Sequence, residues 1–311
     1  AQDGSGDFTT VQAAIDAVPD FHPQRTVIRI QPGDYRQVIV VPLSKQKVTL
    51  VGEGDSASHV RLFFDNHAKR IDPATGEPFG TSGSASFFVY GDEFIAENLT
   101  FENNAGPVGQ ALAISIRAPR AGFRNVRFLG HQDTVYTHTG SRVHCLDCHI
   151  EGTVDFIFGG ATALFDRCTL VSRRGDSYIT AASTPEGQPY GYVFRDCTLR
   201  GDVPAGSVYL GRPWRPHART VFLRSHLGAH VHRAGWHNWG KPENERTAFY
   251  AEYASTGPAA AQEHRAPWSY TLDAADAGDY THEKILGNWQ PFGASVPARA
   301  GAPAAHDSAS P

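Results

Sequence analysis

Hydrophobic positions along this chain come in short runs, not in long helical stripes. From Val27 to about Leu227, runs of β-branched and aromatic residues are interrupted by Gly, Asn and Asp. Short runs bounded in this way predict strands and turns. Convincing helical periodicity occurs only near the two ends of the chain, so the middle is predicted to be all-β.

One eight-residue phrase recurs through this middle part. In each copy a polar residue precedes an apolar or cysteine position, and Phe, Ile or Leu follows two residues later. The copies are FIAENLTF from Phe94, AGFRNVRF from Ala121, VHCLDCHI from Val143, ALFDRCTL from Ala163, YVFRDCTL from Tyr192 and a looser VFLRSHL from Val221. The shared column contains Leu99, Val126, Cys148, Cys168, Cys197 and Ser225.

The repeat predicts a solenoid. Successive members of the column are 20 to 29 residues apart, as expected for one coil plus loops of varying length. A single coil cannot bury its apolar face alone, whereas stacked coils share a continuous core. The pattern therefore favours a parallel β-helix with cleft-forming loops. A β-sandwich whose strands happen to look alike remains the alternative.

The same register places two aspartates in equivalent positions. Asp133 in GHQDTVY is seven residues after Val126, and Asp155 in GTVDFIF is seven residues after Cys148. Because equivalent positions on adjacent coils lie about 4.8 Å apart, the two carboxyls are predicted to be neighbours. One raised pKa beside one retained charge would suit nucleophilic and acid–base chemistry. A polar ladder that only satisfies turn backbone groups fits the spacing equally well.

The column also contains three of the four cysteines. Cys148 and Cys168 occupy it on successive coils, and a disulfide between them is favoured over one between Cys168 and Cys197. Cys145 is an odd number of residues from Cys148, which predicts the opposite strand face and a lone thiol. A zinc site is the alternative, although the chain has no second Cys-x-x-Cys. Its ligands would be His144, Cys145, Cys148 and His149.

The ends of the chain differ from the middle. Residues 10–18 predict a short helix with a threonine N-cap that covers one end of the solenoid, and residues 272–286 predict a helix near the other end. We expect residues 1–295 to form one domain. The Ala-, Pro- and Ser-rich residues 296–311 predict a disordered tail.

Composition and charge exclude several classes of protein. The chain has 311 residues, 41% of them hydrophobic, with a formal net charge of −4 and a pI near 6.4. It can bury a large core, but it has no basic field for nucleic acid or an anionic membrane. No apolar run approaches the roughly 18 residues of a membrane span. The absence of methionine and of an export signal suggests a processed, secreted protein, either extracellular or periplasmic.

The chain resembles the pectin methylesterase (pectinesterase) family over nearly its whole length, with the family's motifs in the family's order. The resemblance implies a right-handed parallel β-helix that hydrolyses methyl esters of pectin without a metal or other cofactor. The motifs are DGSGDFTTVQAAIDAVP, FIAENLTFENNAGPVGQALAI, HQDTVYT, GTVDFIFGGATALF, YLGRPWRPHARTVF, AGWHNWGKP and AFYAEYASTGPAA.

The resemblance also divides the chemistry among five residues. Asp155 of DFIFG would be the nucleophile, and Asp133 of QDT the general acid and then the general base. Gln110 of QAL and Gln132 of QDT would form the oxyanion hole. Arg212 of LGRPW would hydrogen-bond Asp155 and keep it charged and aimed.

Aromatic and cationic residues would bind the sugar chain. Trp214 is assigned to the sugar site by the resemblance, whereas Tyr136 and Phe158 are candidate walls because each is three residues after an aspartate. Both could instead be packing residues. Further candidates for the cleft are Arg173, Arg174, Arg215, Trp236 and Trp239.

Two other functions compete with esterase activity. A lyase or glycosidase acting on pectic polysaccharide could use the same solenoid, and so could an inactive carbohydrate-binding protein. Paired glutamines beside the aspartates fit an ester oxyanion better than glycosidic cleavage, which favours the esterase. We expect a monomer whose partner is pectin, and the sequence does not indicate a protein inhibitor.

Overall fold

A computed structural model of the chain describes residues 1–293. Its strands form three parallel sheets, named A, B and C, and each complete coil contributes one strand to each. Sheet A contains β1 (Thr26–Ile30), β4 (Val48–Gly52), β7 (Phe94–Glu97), β10 (Arg120–Arg124), β13 (Arg142–Leu146), β16 (Thr162–Asp166), β19 (Tyr192–Arg195), β22 (Arg219–Leu223), β24 (Phe249–Tyr253) and β25 (Tyr270–Thr271). Sheet B contains β2 (Gly33–Arg36), β5 (Val60–Phe64), β8 (Thr100–Asn103), β11 (Arg127–Leu129), β14 (His149–Gly152), β17 (Thr169–Ser172), β20 (Thr198–Arg200) and β23 (His226–Leu227). Sheet C contains β3 (Ile39–Val41), β6 (Phe87–Val89), β9 (Ile114–Ile116), β12 (Val135–Thr137), β15 (Ile157–Gly159), β18 (Ser177–Ala182) and β21 (Val208–Pro213).

This architecture is the predicted parallel β-helix, and the sandwich alternative is wrong. The recurring phrase spans a strand of sheet A, a corner and a strand of sheet B. The polar residue at each corner is left-handed, with φ between 46° and 54°, and the column residue after it is at most 2% exposed. Left-handed backbone at one residue turns the chain sharply enough to aim the next side chain into the core. The six corner residues are Asn98, Asn125, Asp147, Arg167, Asp196 and Arg224.

The four cysteines contradict the predicted disulfide. All four are buried free thiols, and the Sγ atoms of Cys148 and Cys168 donate to the carbonyl oxygens of Phe123 and Cys145 at 3.4 and 3.5 Å. In-register stacking keeps neighbouring Cβ atoms about one strand spacing apart, roughly 4.8 Å, whereas a disulfide needs about 3.8 Å. Cys145 is a lone thiol as predicted, but its predicted position on the strand face opposite to Cys148 is wrong. The corner at Asp147 re-aims the chain, so Cys145 and Cys148 both lie in the core.

Short helices lie near both ends. Helix α1 (Val11–Asp16) begins after Thr10, whose side chain accepts a hydrogen bond from the Ala13 amide at 3.2 Å, as the sequence predicts. The single helix predicted over residues 272–286 is instead α3 (Ala274–Ala277) and α4 (His282–Leu286), because Thr281 caps a new helix start. The remaining helical segments are α2 (Gly80–Gly83) and the 3₁₀ helix Pro242–Arg246. The predicted disordered tail, residues 296–311, lies outside the described residues.

A long loop, residues 65–86, connects sheet B to sheet C and lies beside the start of the predicted site. Asn103, which is 2% exposed, fastens this loop. Its amide donates to the carbonyl oxygens of Asn66, Ser84 and Leu112 at 2.8, 3.2 and 3.0 Å.

Asn103→Ala is expected to destabilise the protein by about 2 to 4 kcal/mol, because buried carbonyl oxygens would lose their donor. Chemical unfolding measures the change. Asn104→Ala is the matched control, since Asn104 is exposed and adjacent in sequence. Equal stability of the two variants would contradict the fastening role of Asn103.

Candidate active site

The outer face of sheet C forms the floor of the candidate site. Side chains alternate along each strand, so Val135, Ile157 and Thr180 point into the core. The residues one position later form a single row on the outside of the sheet. That row contains Val40, Phe88, Ser115, Tyr136, Phe158, Ala181 and Arg212.

Asp133 and Asp155 lie next to this row on adjacent coils. Val135 pairs with Ile157, and the Asp133 amide donates to the Val154 carbonyl oxygen at 3.0 Å, so the two aspartates are in register. Both have left-handed backbone, with φ of 67° and 51°. Both are also buried, at 7% and 5% exposure. Buried acidic residues in an uncommon backbone conformation are typical of a functional site.

Arg212 binds Asp155 through two parallel hydrogen bonds. Its Nε donates to Oδ1 at 2.9 Å and its Nη2 donates to Oδ2 at 2.6 Å. This fork fixes the plane of the carboxylate and supplies a positive charge where water is largely excluded.

The two carboxyls differ in their electrostatic surroundings. Burial raises the pKa of Asp133 well above its usual range, the charge of Asp155 raises it further, and Arg212 opposes both. Burial also raises the pKa of Asp155, but the Arg212 hydrogen bonds and charge counteract that rise. Two interacting acids titrate as a pair. The surroundings therefore favour the neutral form more strongly at Asp133 than at Asp155.

Gly211 lets Arg212 reach its position. A Cβ atom at Gly211 would lie 2.0 Å from Thr180 Oγ1, and that hydroxyl donates to the Leu210 carbonyl oxygen at 2.9 Å. Strand β21 can therefore pack against β18 only with glycine at this point.

Gln110 and Gln132 meet on adjacent coils directly before the aspartate pair. They form an isolated parallel bridge, and both are half-buried. The backbones of the two predicted oxyanion residues are therefore adjacent, and Gln132 directly precedes Asp133. The 65–86 loop borders them, because the Ala68 amide donates to the Gln110 carbonyl oxygen at 2.8 Å.

The predicted aromatic residues form one cluster on the outer face of sheet C. Tyr136 stacks on Phe158 with ring centroids 4.2 Å apart, and Trp214 lies 6.3 and 5.9 Å from these two rings. Phe158 is only 4% exposed, whereas Tyr136 and Trp214 are half-buried. Phe158 thus supports the cluster from below, and the other two offer the surface.

Two tryptophans that the sequence left undecided have different positions. Trp236 is a core residue at 2% exposure. Trp239 is half-buried at the site, with its ring centroid 3.6 Å from Arg212 Cζ. Arg212 Cζ also lies 3.7 Å from the Tyr178 ring centroid. Tyr178 was missed from the sequence, although its strand leads to Ala181 in the outer row.

The cationic candidates also separate. Arg173 pairs with Glu151 at 3.1 Å and is therefore engaged. Arg215 is exposed, with its Cζ 5.2 Å from the Trp214 ring. Arg117, which was not predicted, is exposed and directly follows β9. Burial lowers the pKa of His138, and the charge of the nearby Arg117 lowers it further. Arg117 and Arg215 both border the aromatic cluster. Burial raises the pKa of Tyr136, and the charges of these two arginines lower it.

The candidate zinc ligands do not converge. Cys145 points into the core, whereas the His144 ring lies outside, 3.5 Å from Asp166 and 5.0 Å from the His282 ring. Within residues 1–293 no group of three or more metal-binding side chains occurs. Across the same residues, every helix is too short or too polar to cross a membrane.

Comparison with known proteins decides the family. The family model described as Pectinesterase matches residues 1–288. The chain belongs to the pectinesterase family. It is therefore a carboxylic ester hydrolase.

Individual pectinesterases align over nearly the whole chain. Pectinesterase 31 of Arabidopsis thaliana is 44% identical over 92% of this chain and 90% of that protein. The chain spans half of a longer relative, a putative pectinesterase/pectinesterase inhibitor of the same plant, at 36% identity over 95% of this chain and 50% of that protein.

Solved pectin methylesterases share the right-handed parallel β-helix. PemA of Erwinia chrysanthemi superposes with a TM-score of 0.82 at 30% identity, covering 94% of this chain and 96% of that one. The carrot enzyme gives a TM-score of 0.84 at 31% identity, covering 92% of each chain. A pectin methylesterase solved in complex with a hexasaccharide gives 0.81 at 30% identity, covering 96% of this chain and 97% of that one.

Proposed function

We propose that this pectinesterase converts methyl-esterified polygalacturonate to pectate and methanol, with Asp155 as nucleophile and Asp133 as general acid and base. The observation that carries the proposal is the buried aspartate pair in which only Asp155 is bound by Arg212. Geometry of this kind supplies one ionised and one protonated carboxyl at the same pH.

Acylation would begin at Asp155. A lone pair of its carboxylate attacks the ester carbonyl carbon, and the side-chain amides of Gln110 and Gln132 donate to the oxygen that becomes negative. When the tetrahedral intermediate collapses, the bond to methoxide breaks. Asp133 gives its proton to the departing oxygen, and methanol leaves.

Deacylation would reverse the role of Asp133. Now a carboxylate, it removes a proton from water, and the resulting hydroxide attacks the acyl carbonyl. The bond to Asp155 breaks and restores its carboxylate, Asp133 keeps the proton taken from water, and the product leaves as galacturonic acid, which ionises in solvent. The low exposure of both aspartates limits competing water.

The aromatic cluster would bind the sugar rings. Tyr136 and Trp214 offer half-buried rings on the floor, and Phe158 supports them. Arg117 and Arg215 would attract the carboxylates of the chain, because both are exposed at the edge of this cluster. The proposal takes residues 1–295 as one secreted, monomeric esterase domain.

Gln132→Leu is expected to lower kcat by roughly 10²- to 10³-fold, with KM changed little, because an oxyanion donor acts mainly in the transition state. Methanol release at a series of pectin concentrations measures both constants. Gln132→Glu is the matched variant, since it keeps the shape and removes the amide donor. Near-native activity of either variant would contradict the oxyanion role.

The function itself is tested by methanol release from highly methylated pectin in the presence of a chelator. Viscosity and unsaturated ends are followed in the same samples. Methanol without chain shortening is the expected result. Chain shortening without methanol would contradict the proposed esterase activity on pectin and favour chain cleavage. Release of neither product would contradict any hydrolysis of pectin.

A further inference from the structure

We propose that Tyr178 and Trp239 are positioning residues that clamp the guanidinium group of Arg212 between their rings and thereby keep Asp155 ionised. The inference rests on the proposed role of Asp155 as nucleophile. It assigns to two aromatic side chains at the cleft a function other than binding sugar.

The clamp follows from two distances. Arg212 Cζ lies 3.7 Å from the Tyr178 ring centroid and 3.6 Å from the Trp239 ring centroid. Each distance is close to the thickness of an aromatic ring, so the two rings cannot lie on one face of the guanidinium. They cover opposite faces, and only the edge of the group is left for hydrogen bonds.

That edge points at Asp155. Arg212 directs Nε and Nη2 at the two carboxylate oxygens, at 2.9 and 2.6 Å. Between two rings the guanidinium can slide in its plane but cannot rotate out of it. The clamp therefore preserves the fork geometry and keeps water from both faces of the cation, which strengthens its attraction for the carboxylate.

Trp239 is held in place by an unusual backbone. Its φ is 61°, which is uncommon for a bulky residue. Its amide donates to His237 Nδ1 at 2.9 Å, and the next amide, at Gly240, donates to Asn238 Oδ1 at 2.8 Å. Asn238 is in turn bound to Glu245 at 2.7 Å. A strained, multiply fastened residue is expected where its side chain must occupy one position.

Several groups face Asp155 and could also affect its titration. Asp133 lies on the preceding coil, Arg212 on β21, Tyr178 on β18 and Tyr250 on β24, and the His237 ring is 5.4 Å from Tyr178. Burial lowers the pKa of His237, and the charges of Arg212 and His232 lower it further. A suitable control must therefore keep all of these groups.

The test is a titration of Asp155 by NMR in protein labelled with ¹³C at the aspartate carboxyls, with the Asp155 signal assigned from its loss in Asp155→Asn. In Tyr178→Leu and Trp239→Leu, Asp155 is expected to bind its proton about threefold to tenfold more tightly than in the native protein. The acidic limb of the kcat profile should move to higher pH with it. Tyr178→Phe and Trp239→Phe keep a ring and should restore the native titration.

Tyr209→Leu is the matched control. Tyr209 stacks on Tyr178 at 5.5 Å and belongs to the same aromatic group without covering Arg212. An Asp155 titration that is unchanged in both leucine variants, or shifted equally in Tyr209→Leu, would overturn the clamp. A raised KM with an unmoved acidic limb would instead assign Trp239 to sugar binding. Because the titration does not need turnover, it decides the clamp even if the native protein releases no methanol, which would refute only the proposed function.

Discussion

Asp155→Asn is expected to lower kcat for methanol release from pectin by roughly 10⁴-fold or more, as removal of a covalent nucleophile does in other hydrolases. An amide in this position keeps an acceptor for Arg212 but has no carboxylate lone pair with which to attack an ester. The fold should persist, because the asparagine side chain has the same size. Methanol release and thermal unfolding of the same preparation measure the two effects.

A second aspartate–arginine pair provides the control. Asp196 accepts two hydrogen bonds from Arg224, at 2.8 and 2.9 Å, but the pair is half-exposed at the corner between sheets A and B. Asp196→Asn removes the same kind of fork outside the cleft and should leave kcat unchanged. If Asp155→Asn kept more than about a tenth of native activity, a far smaller loss than nucleophile removal causes, another residue would be the nucleophile.

The sequence predicts the fold because one physical device repeats in it. A polar residue with left-handed backbone turns the chain at the corner between sheets A and B, and the next residue is buried. The position of this corner in each copy of the repeat can therefore be read from the sequence. Asp133 and Asp155 occupy equivalent positions on adjacent coils because the same number of residues separates each from its corner. Their placement therefore follows from the repeat, whereas their separate roles came from the family resemblance.

Other features depend on contacts that no local pattern contains. The disulfide prediction was wrong because in-register stacking holds neighbouring Cβ atoms roughly 4.8 Å apart, which is more than the roughly 3.8 Å that a disulfide needs. The predicted position of Cys145 was wrong because the alternation of side chains along a strand does not continue across the left-handed corner at Asp147. Tyr178 and Trp239 both contact Arg212, although one comes from a strand and the other from a distant loop.

The second large effect is expected at Asp133. Asp133→Asn should lower kcat by about 10²- to 10⁴-fold, because the variant can neither protonate methoxide nor activate water. Methanol release measures the loss. Asp176→Asn is the control, since Asp176 is also an aspartate with left-handed backbone but is exposed.

The same substitution should make the protein more stable at neutral and alkaline pH. Burial and the charge of Asp155 raise the pKa of Asp133 above its unfolded value. Between those two pKa values the folded state holds a proton that the unfolded state has released, so the free energy of unfolding falls as pH rises through this window. Asparagine has no such proton to lose. The free energy of unfolding of the variant, relative to that of the native protein, should therefore increase with pH from a difference near zero below pH ~4. Thermal unfolding across pH measures the difference.

A variant that lost activity but showed no pH-dependent gain in Tm would mean that Asp133 is not held protonated by its surroundings. A gain in Tm with native activity would mean that Asp133 is not the acid and base of the reaction.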